Sequence, residues 1–227
     1  MKIEEYLSKS GIPRRKISEL IENGRVTING LKATKNQEVK DFDKVRIDES
    51  IILPEKNIYI IFYKPKNVIT TTSMIERPNI LDFVNVKQKI DFAGRLDKDA
   101  EGLLFLTNDG YVINILTHPR FKVEKEYEIK LNKQFDTKDF KRINELVVDG
   151  RRMNVKIHSI NKSRTRLKII ISHGEKHILK RIFSRMGYRI NKLKRIRIDG
   201  FTLKNLRPGE YFFISKREVY EKIQRYI

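Results

Sequence analysis

Residues 94–110 read GRLDKDAEGLLFLTNDG, a charged cluster running straight into an apolar stretch. Two acids, Asp97 and Asp99, alternate with two bases, Arg95 and Lys98, ahead of Leu103 to Thr107. A carboxylate held beside a cation keeps its charged form at neutral pH. It can then serve as a nucleophile or a general base. Arg–Asp pairs are also common structural contacts, so the cluster alone names no reaction. Other chemistries lack their residues. There is no G-x-G-x-x-G, no G-x-x-x-x-G-K-[ST] and no G-x-S-x-G. Cysteine is absent, which excludes thiolate nucleophiles, disulfides and sulfur-bound metals. His173 and His177 have a spacing that suits a helix-borne metal, but no third ligand accompanies them and Gly174 lies between. They read as surface or nucleic-acid-facing histidines, and no metal or cofactor is expected.

Charge points to the partner. Lys and Arg number 49 against 29 acids, a formal net charge of +20 in 227 residues. Between Lys162 and Arg197 stand 13 basic residues and a single acid, Glu175. A localised excess interrupted by apolar residues is the footprint of a polyanion-binding surface. Hydrophobic content of 39% supports one substantial core, or a main domain with a small companion. No apolar run approaches a membrane span, and the amphipathic, acid-bearing N-terminus is no secretory signal. A cytoplasmic monomer without membrane contact is expected.

The elements that must position the cluster can be read from periodicity. Ile3, Tyr6 and Leu7 form a short helical stripe ended by Gly11. Pro13 opens a second helix with Ile17, Leu20 and Ile21 inward, and Gly24 stops it. A hairpin around Asn29-Gly30 and a strand at Lys44 to Ile47 complete a small module, residues 1–48. Residues 49–56 read as a linker and 57–227 as the second domain. Arg14, Arg15 and Lys16 occupy the first turn of the second helix, where cations oppose the helix dipole by about 0.3–1 kcal/mol each. A phosphate at that helix start would offset the cost. Arg25, Lys32 and Lys35 are close to them in sequence. In the second domain, Ile58 to Tyr63 and Leu103 to Thr107 read as buried strands. Tyr111 to Leu116 reads as a helix capped by Asp109. Lys125 to Leu131 alternates as a strand. Asp136 is expected to cap a helix carrying Phe140, Ile143 and Leu146. Strands follow near Val155 to Ile160 and Leu167 to Ser172. Lys176 to Met186 reads as a helix with Lys180, Arg181 and Arg185 outward. Strands at Leu193 to Ile198 and Tyr211 to Ile214 precede a terminal helix, Lys216 to Tyr226. Hairpins and helices mix without a βαβ repeat, so the class is α+β.

The motif GRLDKDAEGLLFLTNDG resembles the central motif of the Rsu/Rlu branch of ribosomal RNA pseudouridine synthases. IIFYKPKNVITTT, VEKEYEI and HGEKHILKRIFSRMGYRINKLKRIRIDGFTLKNLRPGEY resemble further blocks of that branch, in the same order. The first 48 residues resemble an S-four type RNA-binding domain. The resemblance implies a catalytic domain with a mixed, mostly antiparallel sheet flanked by helices. It implies site-specific isomerisation of uridine to pseudouridine in ribosomal RNA or a ribosomal assembly particle, with the target base flipped from its stack. Asp97 matches the essential aspartate, nucleophile or base; Tyr127 the active-site tyrosine; Lys180 the basic partner of the aspartate; and Arg95 an arginine near the flipped nucleotide. Arg14, Arg15, Lys16 and Arg181 are the further RNA-binding candidates. Two positions depart from the branch: Ala100, where Ser or Thr is usual, and Ile178, where Gln is usual. The competing expectation is a non-catalytic RNA-binding or ribosome-assembly protein on the same fold. HILKR is closer to the small-subunit enzymes of the branch, and SGIPRRKISELIENG with GRLDKD to the large-subunit ones.

Overall fold

The computed structural model describes residues 1–172, 174 and 177–227, with Arg151 described in its backbone only. The chain divides into two compact units, Met1–Ile58 with Val86–Lys89, and Tyr59–Asn85 with Ile90–Ile227.

The first unit holds α1 (Ile3–Lys9), α2 (Arg14–Glu22), β1 (Val26–Ile28), β2 (Leu31–Lys32), β3 (Val45–Ile47) and β4 (Ser50–Ile51). The strands form an antiparallel sheet in the order β2-β1-β3-β4. The β1–β2 turn places Asn29 at φ 52° and Gly30 at φ 86°. Two positive φ values are what a tight hairpin matching the strand twist demands, and Asn-Gly supplies them cheaply. Ile3, Leu7, Ile17, Ile21, Val26 and Val45 close the core. Pro13 sits one residue ahead of α2, at its N-cap. Within segment 49–56, Ser50–Ile51 is a strand paired with β3, and the Glu55 amide donates to the Lys9 carbonyl at 3.0 Å.

The second unit begins with β5 (Tyr59–Lys64), β6 (Asp91–Phe92), β7 (Glu101–Thr107), α3 (Gly110–Thr117) and β8 (Lys125–Leu131). It continues with α4 (Asp139–Glu145), β9 (Val147–Val148), β10 (Arg151–Arg152), β11 (Val155–Ile160), β12 (Arg166–Ile171) and α5 (Ile178–Arg185). It ends with β13 (Ile190–Ile198), β14 (Phe201–Thr202), β15 (Tyr211–Phe213) and α6 (Lys216–Ile223). Nine strands form one sheet with the path β11-β12-β8-β13-β7-β5-β15; β14 joins β13 and β6 joins β7. The β13–β7 pair is parallel and the other pairs are antiparallel, so the fold is α+β with a mixed, mostly antiparallel sheet, as expected. Two apolar clusters stabilise it. One gathers β8, β12 and α5 through Tyr127, Ile129, Leu167, Ile169, Leu179 and Phe183. The other gathers β5, β7, α3 and α6 through Ile61, Phe105, Ile115, Leu116 and Val219. Burying a side chain of this size stabilises by about 1.5–3 kcal/mol.

Some ends differ from the sequence reading. Asp136 does not cap α4: its carboxylate accepts the Lys138 amide at 2.9 Å in a turn of its own, and the helix starts at Asp139. A short carboxylate can close a local turn through the same backbone hydrogen bond that it would make as a helix cap. Asp109 does cap α3, accepting the Tyr111 amide at 3.1 Å. The expected helix start at Lys176, together with His173 and Glu175, lies outside the described residues.

Gly102 pairs with Arg195 across the parallel strands and lies close against its backbone. A Cβ built there would lie 2.2 Å from the Arg195 carbonyl oxygen, and φ is +115°. Strain in the backbone and overpacking against it add, so Gly102→Ala should destabilise by about 3 kcal/mol or more. For a chain this long the melting temperature should fall by roughly 6–12 °C. Thermal unfolding followed by circular dichroism would check it.

Candidate active site

The loop between β6 and β7 carries the charged cluster, and buried groups hold it by its backbone. The Thr70 hydroxyl donates to the Leu96 carbonyl at 2.7 Å and accepts the Leu96 amide at 3.2 Å. The Asn67 amide donates to the Lys98 carbonyl at 2.7 Å. Lys64, at the end of β5, is wholly buried, and its ammonium donates to the carbonyls of Val68 at 2.7 Å, Pro65 at 2.9 Å and Lys98 at 3.5 Å. Arg195 of β13, 1% exposed, reaches across to the Leu103 carbonyl at 2.7 Å, Gly94 at 3.3 Å and Arg95 at 3.5 Å. Inside the loop, the Ala100 amide closes on the Asp97 carbonyl at 3.1 Å. Leu96 and Ala100 point into the apolar cluster, which leaves the side chain of Asp97 facing out of it. A reacting group fixed by such a shell holds its geometry better than one on a free loop.

Asp97 meets two partners from α5 and its cap. One carboxylate oxygen lies 3.1 Å from the Lys180 ammonium, the other 3.1 Å from His177 Nε2. Lys180 also reaches Asp99 at 2.6 Å. Burial alone would lower the Lys180 pKa, but hydrogen bonds to Asp99 and Asp97 outweigh it and raise the value above that of an ordinary lysine. The hydrogen bond from Lys180 holds the Asp99 carboxyl below the usual range. Beside this cluster is a cavity of about 110 Å³. Arg95, Asp97, Tyr127, His177, Lys180 and Arg195 are among its walls.

The expected residues therefore divide. Asp97, Tyr127, Lys180 and Arg95 come together on one cavity, although they derive from a loop, a strand and a helix far apart in sequence. Tyr127 is 7% exposed and Arg95 is exposed, with no ion pair among the described residues. Arg181 points elsewhere: its guanidinium pairs with Asp149 at 2.5 Å. Arg14, Arg15 and Lys16 lie exposed on α2 in the first unit. Two cations near them in sequence have acidic partners, Arg25 with Asp48 and Lys35 with Glu22. Ala100 and Ile178 are both buried in the same apolar cluster as Leu96 and Tyr127, so both departures add apolar surface to one place. Among the described residues no group of three His, Cys, Asp or Glu side chains could hold a metal. No helix among them is long and apolar enough to cross a membrane.

Sequence reasoning does not single out Arg195, Lys64, Lys125 or Thr70. For Lys125 a signal exists. It shares the inward register of Tyr127, Ile129 and Leu131, so period two places its ammonium on the buried side. Lys125 lines the cavity, and burial, helped by the charge of Arg195, lowers its pKa to about 8. Burial also lowers that of Lys64 to about 8, although Asp99 and Asp97 act against it. An unfolded lysine keeps its proton to about pH 10.4. Between pH 8 and that value the unfolded chain binds more protons, so these two groups make stability rise with pH and lower it most below pH 8. Lys125→Met should therefore raise the melting temperature at pH 7 and reduce its climb between pH 8 and 9.5. Calorimetry across that range would check both.

Comparison with known proteins bears on this arrangement. The family described as RNA pseudouridylate synthase matches residues 58–185, and the S4 domain matches residues 2–45. A chain of Aquifex aeolicus described as an uncharacterized RNA pseudouridine synthase is 36% identical over 97% of this chain and 95% of its own length. The dual-specificity RNA pseudouridine synthase RluF of Escherichia coli is 32% identical over 96% of this chain and 77% of its own. The ribosomal large subunit pseudouridine synthase B of Bacillus subtilis is 30% identical over 96% and 93%. A crystal structure of a pseudouridylate synthase superposes with a TM-score of 0.69 at 24% identity, covering 98% of this chain and 99% of that one.

Proposed function

The chain belongs to the RNA pseudouridylate synthase family, and we propose that it isomerises uridine to pseudouridine in ribosomal RNA, in the cytoplasm, with Asp97 as the reacting carboxylate. The observation that carries this reading is the pairing of Asp97 with Lys180 at 3.1 Å on the wall of the cavity that Tyr127 also lines. The reaction breaks the bond between C1′ and N1, turns the uracil, and joins C1′ to C5. The C5 proton leaves to solvent and N1 gains one, so no electron changes hands. Asp97 acts at the ribose or the base as nucleophile or base. Lys180, 3.1 Å away, orients it. Tyr127 stacks on the flipped base, and Arg95 on the cavity rim meets the phosphate of the extruded nucleotide. Conversion of a ribosomal RNA transcript, with pseudouridine mapped by carbodiimide treatment and primer extension, tests the reading. A transcript left unmodified by folded protein that binds it would count against the reading.

Residues 1–48 supply affinity, the segment 49–56 connects, and 57–227 carry the chemistry. Arg14, Arg15 and Lys16 are exposed at the start of α2 without an acid in its first turn. Changing all three to glutamine should reduce the slope of log affinity against log salt by about two, at roughly 0.7 for each phosphate no longer neutralised. Turnover at saturating RNA should not change. Filter binding over a salt series checks the first outcome, and a turnover assay the second.

A further inference from the structure

Strand alternation gives the large sheet a second, charged face. On β8, β12 and β13 the residues Tyr127, Ile129, Leu167, Ile169, Leu193 and Arg195 point to the buried side. Their alternates point the other way. Pairing register arranges these alternates in two rows. In the first, Lys168 pairs with Glu128, Glu128 with Lys194, and Lys194 with Glu101 of β7. The signs alternate, and the row neutralises itself: Lys168 is 3.4 Å from Glu128, and the Lys194 ammonium lies 4.8 Å from the Tyr63 ring, whose hydroxyl donates to Glu101 at 3.4 Å. In the second row Arg166 pairs with Lys130, and Lys130 with Lys192. Every member is cationic, on strands about 4.8 Å apart. Like charges directly opposite one another destabilise a sheet. None of the three has an ion pair among the described residues. Both rows line a groove of about 420 Å³, with Ser159 and Asn161 at its edge.

We propose that Arg166, Lys130 and Lys192 form a phosphate-binding row for the backbone of the substrate RNA, on the sheet face opposite Tyr127. The proposal rests on RNA being the substrate and adds where a flanking segment of it is held. The chain places an acid opposite each lysine of the neighbouring row and none here. An RNA strand brings closely spaced negative charges, and neutralising them releases counterions. The repulsion within the row is then relieved on binding, and the groove keeps the contact local.

The test compares full-length wild type with the triple variant Lys130→Gln, Arg166→Gln, Lys192→Gln, using protein-free ribosomal RNA in filter binding across a salt series. The salt slope should shrink by about two and affinity near 0.1 M salt should fall about tenfold or more. Lys87→Gln, Lys138→Gln, Lys141→Gln removes the same charge from exposed positions outside the groove and should change the slope by less than about one. The groove variant should melt at or above the wild-type temperature, because a repulsive row has been removed. Affinity and slope equal to wild type, or no different from the control variant, would overturn the proposal. If wild type makes no pseudouridine while the groove variant still loses RNA binding, the reaction assignment fails and the groove stands. If wild type is active and the groove variant binds normally, the groove alone fails.

Discussion

Lys180→Ala should lower pseudouridine formation at saturating RNA by about 10- to 100-fold while the protein stays folded. The ammonium bridges Asp97 and Asp99 at 3.1 and 2.6 Å. A hydrogen bond to a charged group contributes about 1.5–3 kcal/mol, and each 1.36 kcal/mol off the barrier is a factor of ten. Removing the ammonium leaves two carboxylates beside a cavity without the cation they share. The apolar residues of α5, Leu179, Ile182 and Phe183, do not depend on it, so the helix should keep its place. Lys180→Arg should recover part of the rate because the charge survives, although a planar fork cannot reproduce both contacts. Single-turnover kinetics on both variants, with melting temperature alongside, separates loss of chemistry from loss of fold. A Lys180→Ala protein turning over at the wild-type rate would remove Lys180 from the reaction.

What the sequence makes legible follows where one physical rule dominates. Buried strands such as β5 and β7 read directly, because residues covered on both faces must be apolar nearly throughout. The β1–β2 turn reads directly because Asn-Gly accepts two positive φ values. The meeting of Asp97, Tyr127 and Lys180 comes from the family resemblance. Periodicity alone leaves Lys180 a solvated helix lysine and Tyr127 an ordinary strand aromatic. The clamp around the loop is hidden for a different reason. Arg195 is a cation buried on backbone carbonyls contributed by distant segments, and strand patterning gives no sign of an acceptor that belongs to another element. Lys64 turns back on the carbonyls of Pro65 and Val68 just after its strand and reaches Lys98 at 3.5 Å, a fold-back that an apolar strand run does not announce. His177 reads as a surface histidine. At 46% side-chain exposure it is partly that, but its Nε2 also lies 3.1 Å from Asp97. Asp136 shows the limit of capping rules, since the same short carboxylate closes a turn as readily as it starts a helix.

The central claim is that Asp97 carries the chemistry and Asp99 does not. Asp97 faces the cavity at 21% exposure, with its loop held by Thr70 and Arg195. Asp99 is 60% exposed and is not among the residues that line the cavity. Asparagine keeps the size of the side chain and an oxygen that can still accept from Lys180, but it cannot act as a carboxylate nucleophile or base. Asp97→Asn should therefore lose about 10⁴-fold or more of the rate, as expected when a reacting group is removed, with RNA binding and melting temperature preserved. Asp99→Asn should keep measurable activity, because its contact with Lys180 positions the loop. The most direct measurement is tritium release to water from ribosomal RNA labelled at C5 of uracil, since only the new carbon–carbon bond frees that position. Release by wild type and by Asp99→Asn, with none above background from an Asp97→Asn protein that still binds RNA, is the predicted result; release by Asp97→Asn at the wild-type rate would contradict it.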